Sequence, residues 1–304
     1  MNIQPEAVGQ IPRAFEAVDW AATVLGSAGI DDAEIDAEVL LRCALGCGRA
    51  RLHARYREKL DTSQWERYRQ LIERRAKREP VAYIVGAKEF MSLDFEVTPG
   101  VLIPRPETEL LAEFAVRFLN ENIQANPTAT PMVMDIGTGS GCLAVAIAKT
   151  VPLTVVYASD VSDPALTVAE RNARRHGVAD RVRFRCGDMF DAFGNDDLHG
   201  KVHLTVSNPP YVSRSELSEL QPEITGFEPE IAYLGGDDGL SFHRKLVNGG
   251  APFLTDSGVL AFEIGFGQAE QVREIVASDG RYDLVDTLID HAEIERVIVA
   301  RVMR

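Results

Sequence analysis

The sequence predicts an α/β fold in which a small all-helical segment and a β-hairpin precede a mostly parallel, open seven-stranded sheet. Three observations carry this expectation. The first eighty residues place apolar side chains only at helical spacing, with no strand pattern. From Val81 to Ile103 the period changes to two: Phe90, Leu93, Phe95, Val97 and Val101 alternate with polar residues, as in a hairpin connector. Beyond Pro131 strands and helices alternate, the signature of parallel βαβ units. The expected divisions are 1–80 for the helical bundle, 81–104 for the connector and 105–304 for the α/β domain.

Pro12 opens a first helix carrying Phe15, Val18, Ala22 and Leu25, and Gly26 to Gly29 end it. Asp31 and Asp32 are the expected caps of a second helix bearing Ile35, Val39, Leu40 and Ala44, stopped by Gly46 and Gly48. A short helix holds Leu52 and Tyr56. Thr62 or Ser63 then caps a long one through Trp65, Tyr68, Leu71 and Ile72, closed by Pro80. After the connector, Ile103 to Glu109 leads into a helix with Leu110, Leu111, Phe114 and Phe118, and Asn120 to Pro131 reads as a polar linker. Strands follow at Met132 to Ile136, Leu153 to Ser159, Arg181 to Cys186, Val202 to Ser207, Gly258 to Ile264, Tyr282 to Leu288 and Arg296 to Val302. Helices are expected to begin near Ser140, Asp163, Ser215, Leu240 and Gly267.

Hydrophobic content of 45% and charged content of 26% are those of an ordinary soluble protein. There is no basic and apolar signal pattern at Met1 to Glu6 and no membrane-spanning apolar run, so a cytoplasmic monomer away from membranes is expected. Cys43 and Cys47 stand four apart on a helix with no second pair or His cluster to complete a zinc site, so reduced, buried thiols and no metal are expected. A formal charge of -14 would repel a nucleic acid backbone. Between Arg42 and Arg78, however, basic residues outnumber acidic ones; the run reads either as a solvated helix face or as a docking patch for an acidic macromolecule.

The chemistry concentrates in two stretches. Val206-Ser207-Asn208-Pro209-Pro210-Tyr211 reads as a buried strand ended by two prolines, which remove two backbone donors and fix two φ angles. Ligands of open α/β sheets sit outside the carboxyl ends of strands. There, the Asn208 side-chain carbonyl and the Pro209 backbone carbonyl suit the two N–H bonds of a planar NH2 group, with the Tyr211 ring packed on its face. The alternative is an Asn-Pro turn that caps the strand.

In the second stretch, Asp135-Ile136-Gly137-Thr138-Gly139-Ser140-Gly141 follows a strand and opens a helix, so its glycines let a ligand touch backbone. Cys142 stands where a dinucleotide fingerprint has its third glycine, and no Gly-Lys-Ser/Thr completes a phosphate loop. With no Lys or Arg present, the loop suits a phosphate-free ligand such as S-adenosylmethionine, or it is a plain glycine-rich turn. Asp160, ending the next strand, is placed to accept both ribose hydroxyls of an adenosine, or to cap the helix at Asp163. Asp188 and Met189 lie where an adenine edge would fall, or form a turn. No nucleophile elbow or metal-binding His pair is present, and methyl transfer from a sulfonium requires neither.

Over nearly its full length the chain resembles the peptide-chain release factor glutamine methyltransferases (PrmC, also called HemK). The similarity rests on the helical amino-terminal domain, Pro80-Val81-Ala82-Tyr83, Ile103 to Glu109, Asp135 to Gly141 and Asn208 to Tyr211. It extends to Glu228-Pro229-Glu230 with Gly239-Leu240, and to Glu263-Ile264-Gly265 with Gln268. The resemblance implies a Rossmann-like, S-adenosylmethionine-dependent methyltransferase domain. Its substrate would be the side-chain amide of the glutamine in the Gly-Gly-Gln motif of class 1 peptide-chain release factors, and its product N5-methylglutamine. It implies cofactor contacts at Gly137, Thr138, Gly139, Ser140, Gly141, Asp160, Asp188, Met189 and Asn208. Substrate contacts fall on Asn208, Pro209, Pro210 and Tyr211, with Asn208, Pro209 and Tyr211 catalytic. The basic excess from Arg49 to Arg78 makes the helical bundle the expected docking surface for the substrate. The alternatives are an adenine amino methyltransferase on nucleic acid, which shares Asn-Pro-Pro-Tyr, a ribosomal protein glutamine methyltransferase, and a non-catalytic module that binds the same cofactor or a partner. The chain departs from the family's pattern at Met189, where an aromatic ring can stand, at Met91-Ser92 in place of an aromatic-glycine pair, and at Asp290 to Glu293, which lacks a glycine often found there.

Overall fold

The computed structural model describes residues 11–128 and 130–303. The chain divides into two compact units: one up to Gly86 that also takes in Pro222–Phe227, and one formed by Ala87–Gln221 and Glu228–Arg304. The start of the hairpin connector, Val81–Val85, is a short helix rather than an extended segment.

In the first unit α1 (Ala14–Ser27), α2 (Ala33–Leu45), α3 (Arg49–Ala54), α4 (Thr62–Ala76) and α5 (Val81–Val85) bury a continuous apolar core. The expected face of α2 is rotated: Ala33, Ala37, Leu40, Leu41 and Ala44 are buried, whereas Ile35 is 63% exposed. The cap of α4 lies one residue earlier than expected, because Asp61 accepts from the Gln64 backbone and the Gln64 side chain reaches back to Asp61 N.

Much of the basic run is neutralised inside this unit. Arg75 bonds Asp36 at 2.7 Å and Glu223 at 2.8 Å, and Glu223 also takes Arg78 at 2.7 Å. Arg49, Arg55, Arg69 and Arg74 pair with Glu38, Glu58, Glu66 and Glu79. Arg51, Arg57, Lys59, Arg67 and Lys77 remain exposed, with no ion pair among the described residues.

The second unit starts with the hairpin β1 (Ala87–Phe90) and β2 (Leu93–Glu96). Met91 and Ser92 form its turn with φ of 51° and 60°, and Glu293 at the last turn has φ 60°. The missing glycines therefore fall where the backbone is left-handed, which costs a non-glycine residue roughly 1–2 kcal/mol. The following helix, α6 (Glu109–Ala125), continues well into the expected linker.

The sheet is built from β3 (Met132–Ile136), β4 (Val155–Asp160), β5 (Val182–Cys186), β6 (Val202–Ser207), β7 (Leu254–Glu263), β8 (Tyr282–Ile289) and β9 (Glu295–Val302), in the order β5-β4-β3-β6-β7-β9-β8. β9 alone runs opposite to the other six strands. Side chains alternate between two cores: Val133, Val156 and Leu204 pack against α6 and α7 (Cys142–Thr150), while Met134, Ile136 and Tyr157 lie in the other core. Helix α8 (Asp163–Arg175) contributes Ala173 to the first core; α9 is Pro222–Phe227, and α10 (Ser241–Gly250) and α11 (Ala269–Asp279) cover the second. Near Ser215 the expected helix is only a short 3-10 turn, Glu216–Glu219. The cysteines are free as expected, but none is buried as expected: Cys43, Cys47 and Cys142 are half-buried and Cys186 is exposed. Among the described residues no helix is long and apolar enough to cross a membrane.

Candidate active site

Strand order reverses between β3 and β6, since β4 and β5 lie on one side of β3 and β6 and β7 on the other. Such a switch point opens a crevice at the carboxyl ends of the two strands. The register pairs Asp135 with Val206, and Ser207 Oγ donates to Ile136 O at 2.7 Å, so the glycine loop and the Asn-Pro-Pro-Tyr turn start side by side. The cavity formed there is lined by Gly137, Gly139, Asp160, Asp188, Met189, Asn208, Pro209 and Pro210 of the expected residues. Thr138, Ser140, Gly141 and Tyr211 stand behind it instead.

The loop is held from beneath. The fully buried Asp135 accepts from Thr138 Oγ1 at 2.6 Å and from Ala144 N at 3.2 Å, and burial raises its pKa to about 7. Thr138 thus braces the loop. Buried Asn172 donates to Ser140 O at 2.9 Å and bonds both backbone groups of Glu96, which ties the loop to the hairpin. Gly141 serves packing, because a Cβ there would lie 3.0 Å from that of Ala169 on α8. Gly137 and Gly139 differ from it. Their φ angles are 73° and 55°, and a Cβ on either would meet nothing within 4 Å, so both open onto space that a ligand can fill. Asp160 accepts from Gly139 N and Ser162 N, each at 2.9 Å, and its pKa is raised by burial.

The cavity's charged side chains are Asp160, Asp188 and Lys245, and Lys245 is already bound to Asp188 at 2.9 Å. An uncompensated carboxylate beside open glycines fits a cationic, phosphate-free ligand. Met189 has φ 50°, and its carbonyl takes the Ser159 hydroxyl at 3.2 Å. Sequence reasoning missed Val161, Ile231 and Phe242 in the same wall. Nothing in their local pattern distinguishes them from surface apolar residues.

The Asn-Pro-Pro-Tyr turn is clamped from several sides. Asn208 Nδ2 donates to Thr108 Oγ1 at 2.9 Å, and Thr108 Oγ1 donates to Glu263 Oε2 at 2.6 Å. Tyr211 OH donates to Glu263 Oε1 at 3.1 Å, so its ring braces the turn instead of lining the cavity. Gln268 Nε2 donates to Tyr211 O at 2.8 Å while its Oε1 accepts from Gly265 N at 2.9 Å. Burial drives the Tyr211 phenol far above its usual range and raises Glu263 to about 7. After these bonds Asn208 Oδ1 and Pro209 O accept no hydrogen bond among the described residues. Buried Glu228 takes Ile103 N at 3.1 Å and Arg105 Nη2 at 2.5 Å, fixing the segment that follows Gly100, Val101 and Leu102 on the cavity wall. Thr108, Glu228, Glu263 and Gln268 all lie in the stretches that carried the resemblance, yet no local pattern assigned any of them an individual role.

The chain is similar to known proteins over most of its length. Residues 16–86 match the PrmC N-terminal domain family and residues 112–223 the methyltransferase small domain family. A release factor glutamine methyltransferase of Geobacter sulfurreducens is 41% identical over 94% of this chain and 95% of its own. One of Moorella thermoacetica is 39% identical over 94% and 97%. Among solved structures, the hMettl16 catalytic domain in complex with MAT2A 3'UTR hairpin 6 aligns with 75% of this chain and 81% of that one, at TM-score 0.54 and 13% identity, a likeness of fold alone. Near-full-length identity of this order shows that the chain belongs to the release factor glutamine methyltransferase family.

Proposed function

We propose that this methyltransferase transfers a methyl group from S-adenosylmethionine to the side-chain amide nitrogen of the glutamine in the Gly-Gly-Gln motif of class 1 peptide-chain release factors, in the cytoplasm. The observation that carries this reading is the pair of acceptors, Asn208 Oδ1 and Pro209 O, unengaged in the wall that also holds Gly137, Gly139 and Asp160. Bound S-adenosylmethionine supplies an electrophilic methyl on a sulfonium. Gly137 and Gly139 admit it by leaving backbone uncovered, Asp160 accepts from its ribose, and Asp188 and Met189 border its adenine. Asn208 and Pro209 would take the two N–H bonds of the substrate amide and leave its nitrogen lone pair for the methyl. The N–C bond forms as the sulfonium C–S bond breaks to leave a neutral thioether. The two acceptors favour the positive charge that develops on nitrogen, and one N–H proton is then released to give the neutral N-methyl amide. Such positioning can supply roughly 7–11 kcal/mol of barrier lowering without a nucleophile on the enzyme. Mass spectrometry of a release factor incubated with enzyme and cofactor tests this. A gain of one methyl on the Gly-Gly-Gln glutamine is expected, and methylation of adenine in DNA or RNA without modification of the release factor would overturn the reading.

Asp160→Ala removes the acceptor for ribose as well as that of Gly139 N and Ser162 N. Charge-assisted hydrogen bonds contribute about 1.5–3 kcal/mol each, so cofactor affinity is expected to fall about tenfold or more by calorimetry. An unchanged affinity would place the ribose elsewhere.

The helical unit is proposed to dock the release factor. Reversing charge at two of its exposed cations, Arg51→Glu with Arg67→Glu, is expected to raise KM for whole release factor but not for a short Gly-Gly-Gln peptide. Arg74 and Arg75 are unsuitable for this test because both are ion-paired within the fold. Equal KM for the double variant and the parent enzyme on whole release factor would remove the docking role.

A further inference from the structure

The Ile103 to Glu109 stretch and Glu263 lie outside the cavity wall, yet they meet behind Asn208. An ionised carboxylate only accepts hydrogen bonds, so the Thr108 hydroxyl must donate its single proton to Glu263 Oε2. Towards Asn208 that hydroxyl can then only accept. Asn208 must offer it Nδ2, as observed at 2.9 Å, and its Oδ1 is left for the cavity. With its other oxygen, Glu263 takes the Tyr211 hydroxyl at the far end of the same turn.

We propose that Glu263 and Thr108 are positioning residues whose one-way hydrogen-bond chain sets which end of the Asn208 amide faces the substrate. Protonating Glu263 reverses the chain. Its O–H then donates to Thr108, the Thr108 proton turns to Asn208, and the amide presents its NH2 to a substrate NH2, donor against donor. The inference rests on the amide-methylating reading and deepens it.

The surroundings of Glu263 agree with such a switch. Burial raises its pKa to about 7 and Glu107 adds to the rise, while Thr108, Tyr211 and the Arg296 charge favour ionisation. His243 donates Nε2–H to the Glu263 carbonyl at 3.0 Å, and burial lowers its pKa, so it faces the site as a neutral ring. Burial raises the Cys142 thiol to about 12, with Asp135 and then Glu263 adding to the rise, so it stays a thiol. Asp135 is the other buried acid raised to about 7. Activity through the ionised form is fully present above the Glu263 pKa and is lost as pH falls through it.

The test uses full-length enzyme and whole release factor. Thr108→Val, equal in shape but without the hydroxyl, is expected to lower kcat on the order of 10- to 100-fold with unchanged cofactor affinity, and Thr108→Ser to restore most of it. Wild-type kcat/KM is expected to fall roughly tenfold per pH unit below the Glu263 pKa, a limb that Glu263→Gln abolishes. Independently of turnover, the Asn208 side-chain amide resonances, assigned by their loss in Asn208→Asp, are expected to shift with the same pKa in the wild type and not in Glu263→Gln. If the wild type methylates release factor but Thr108→Val matches it, the relay is wrong and the reaction stands. An acid limb and an amide shift that persist in Glu263→Gln also overturn the relay and assign the titration to Asp135. Failure of the wild type to methylate release factor removes the proposed reaction, while the resonances still decide the relay.

Discussion

Asn208→Ala is expected to lower turnover by roughly 10²- to 10³-fold while leaving cofactor affinity nearly unchanged, the loss typical of removing one positioned polar group at a reacting centre. The division follows from where the atoms are. Asn208 Nδ2 is spent on Thr108, so the truncation removes only one acceptor from the cavity. The residues assigned to the cofactor keep their own supports: Gly137 N donates to Ser159 O, Gly139 N to Asp160, and Asp160 also accepts from Ser162 N. Pro209 O alone can hold one N–H bond but not orient the nitrogen. Single-turnover kinetics on release factor and calorimetry with S-adenosylmethionine separate the two effects. A matching loss of cofactor affinity would contradict the assignment of Asn208 to the amide.

The sheet was legible because its signal is local. Strands Met132–Ile136 and Val202–Ser207 have the expected ends, since a glycine loop and a proline pair punctuate them chemically. Asn208, Pro209, Gly137 and Gly139 were legible for the same reason. What sequence periodicity could not place was any role that depends on a partner far along the chain. The Tyr211 hydroxyl meets Glu263 across 52 positions, Asn208 meets Thr108 across 100, and Thr108 meets Glu263 across 155. Ile35 failed differently: it fits a helical apolar row, but Ala33 and Ala37 allow close packing on the adjacent row and win the core. The turn at Glu293 shows the converse, a strained φ that the absence of a glycine flags and only the backbone explains.

The same long-range dependence makes Gly235→Ala the sharpest structural test of the turn. Gly235 N donates to Val212 O at 2.8 Å and Gly235 O accepts from Ser241 N at 3.1 Å, which draws this segment against the backbone just after the prolines. A Cβ at this position would sit 2.7 Å from Pro210 O, 2.7 Å from Gly239 O and 2.8 Å from Tyr211 Cα. All three neighbours are backbone, so no rotamer change relieves the overlap, and overpacking of this kind costs about 1–3 kcal/mol. The strands beneath are anchored by two apolar cores and can carry that cost, whereas the turn must shift. Because about 1 Å of misplacement can cost on the order of 10²-fold in rate, Gly235→Ala is expected to lose about that much turnover while remaining folded by circular dichroism and binding cofactor normally. Gly48→Ala, where a Cβ meets nothing within 4 Å, serves as the control and is expected to match the parent enzyme. Undiminished methylation of release factor by folded Gly235→Ala would mean that the Pro210–Tyr211 backbone need not be held where it is for the amide to react.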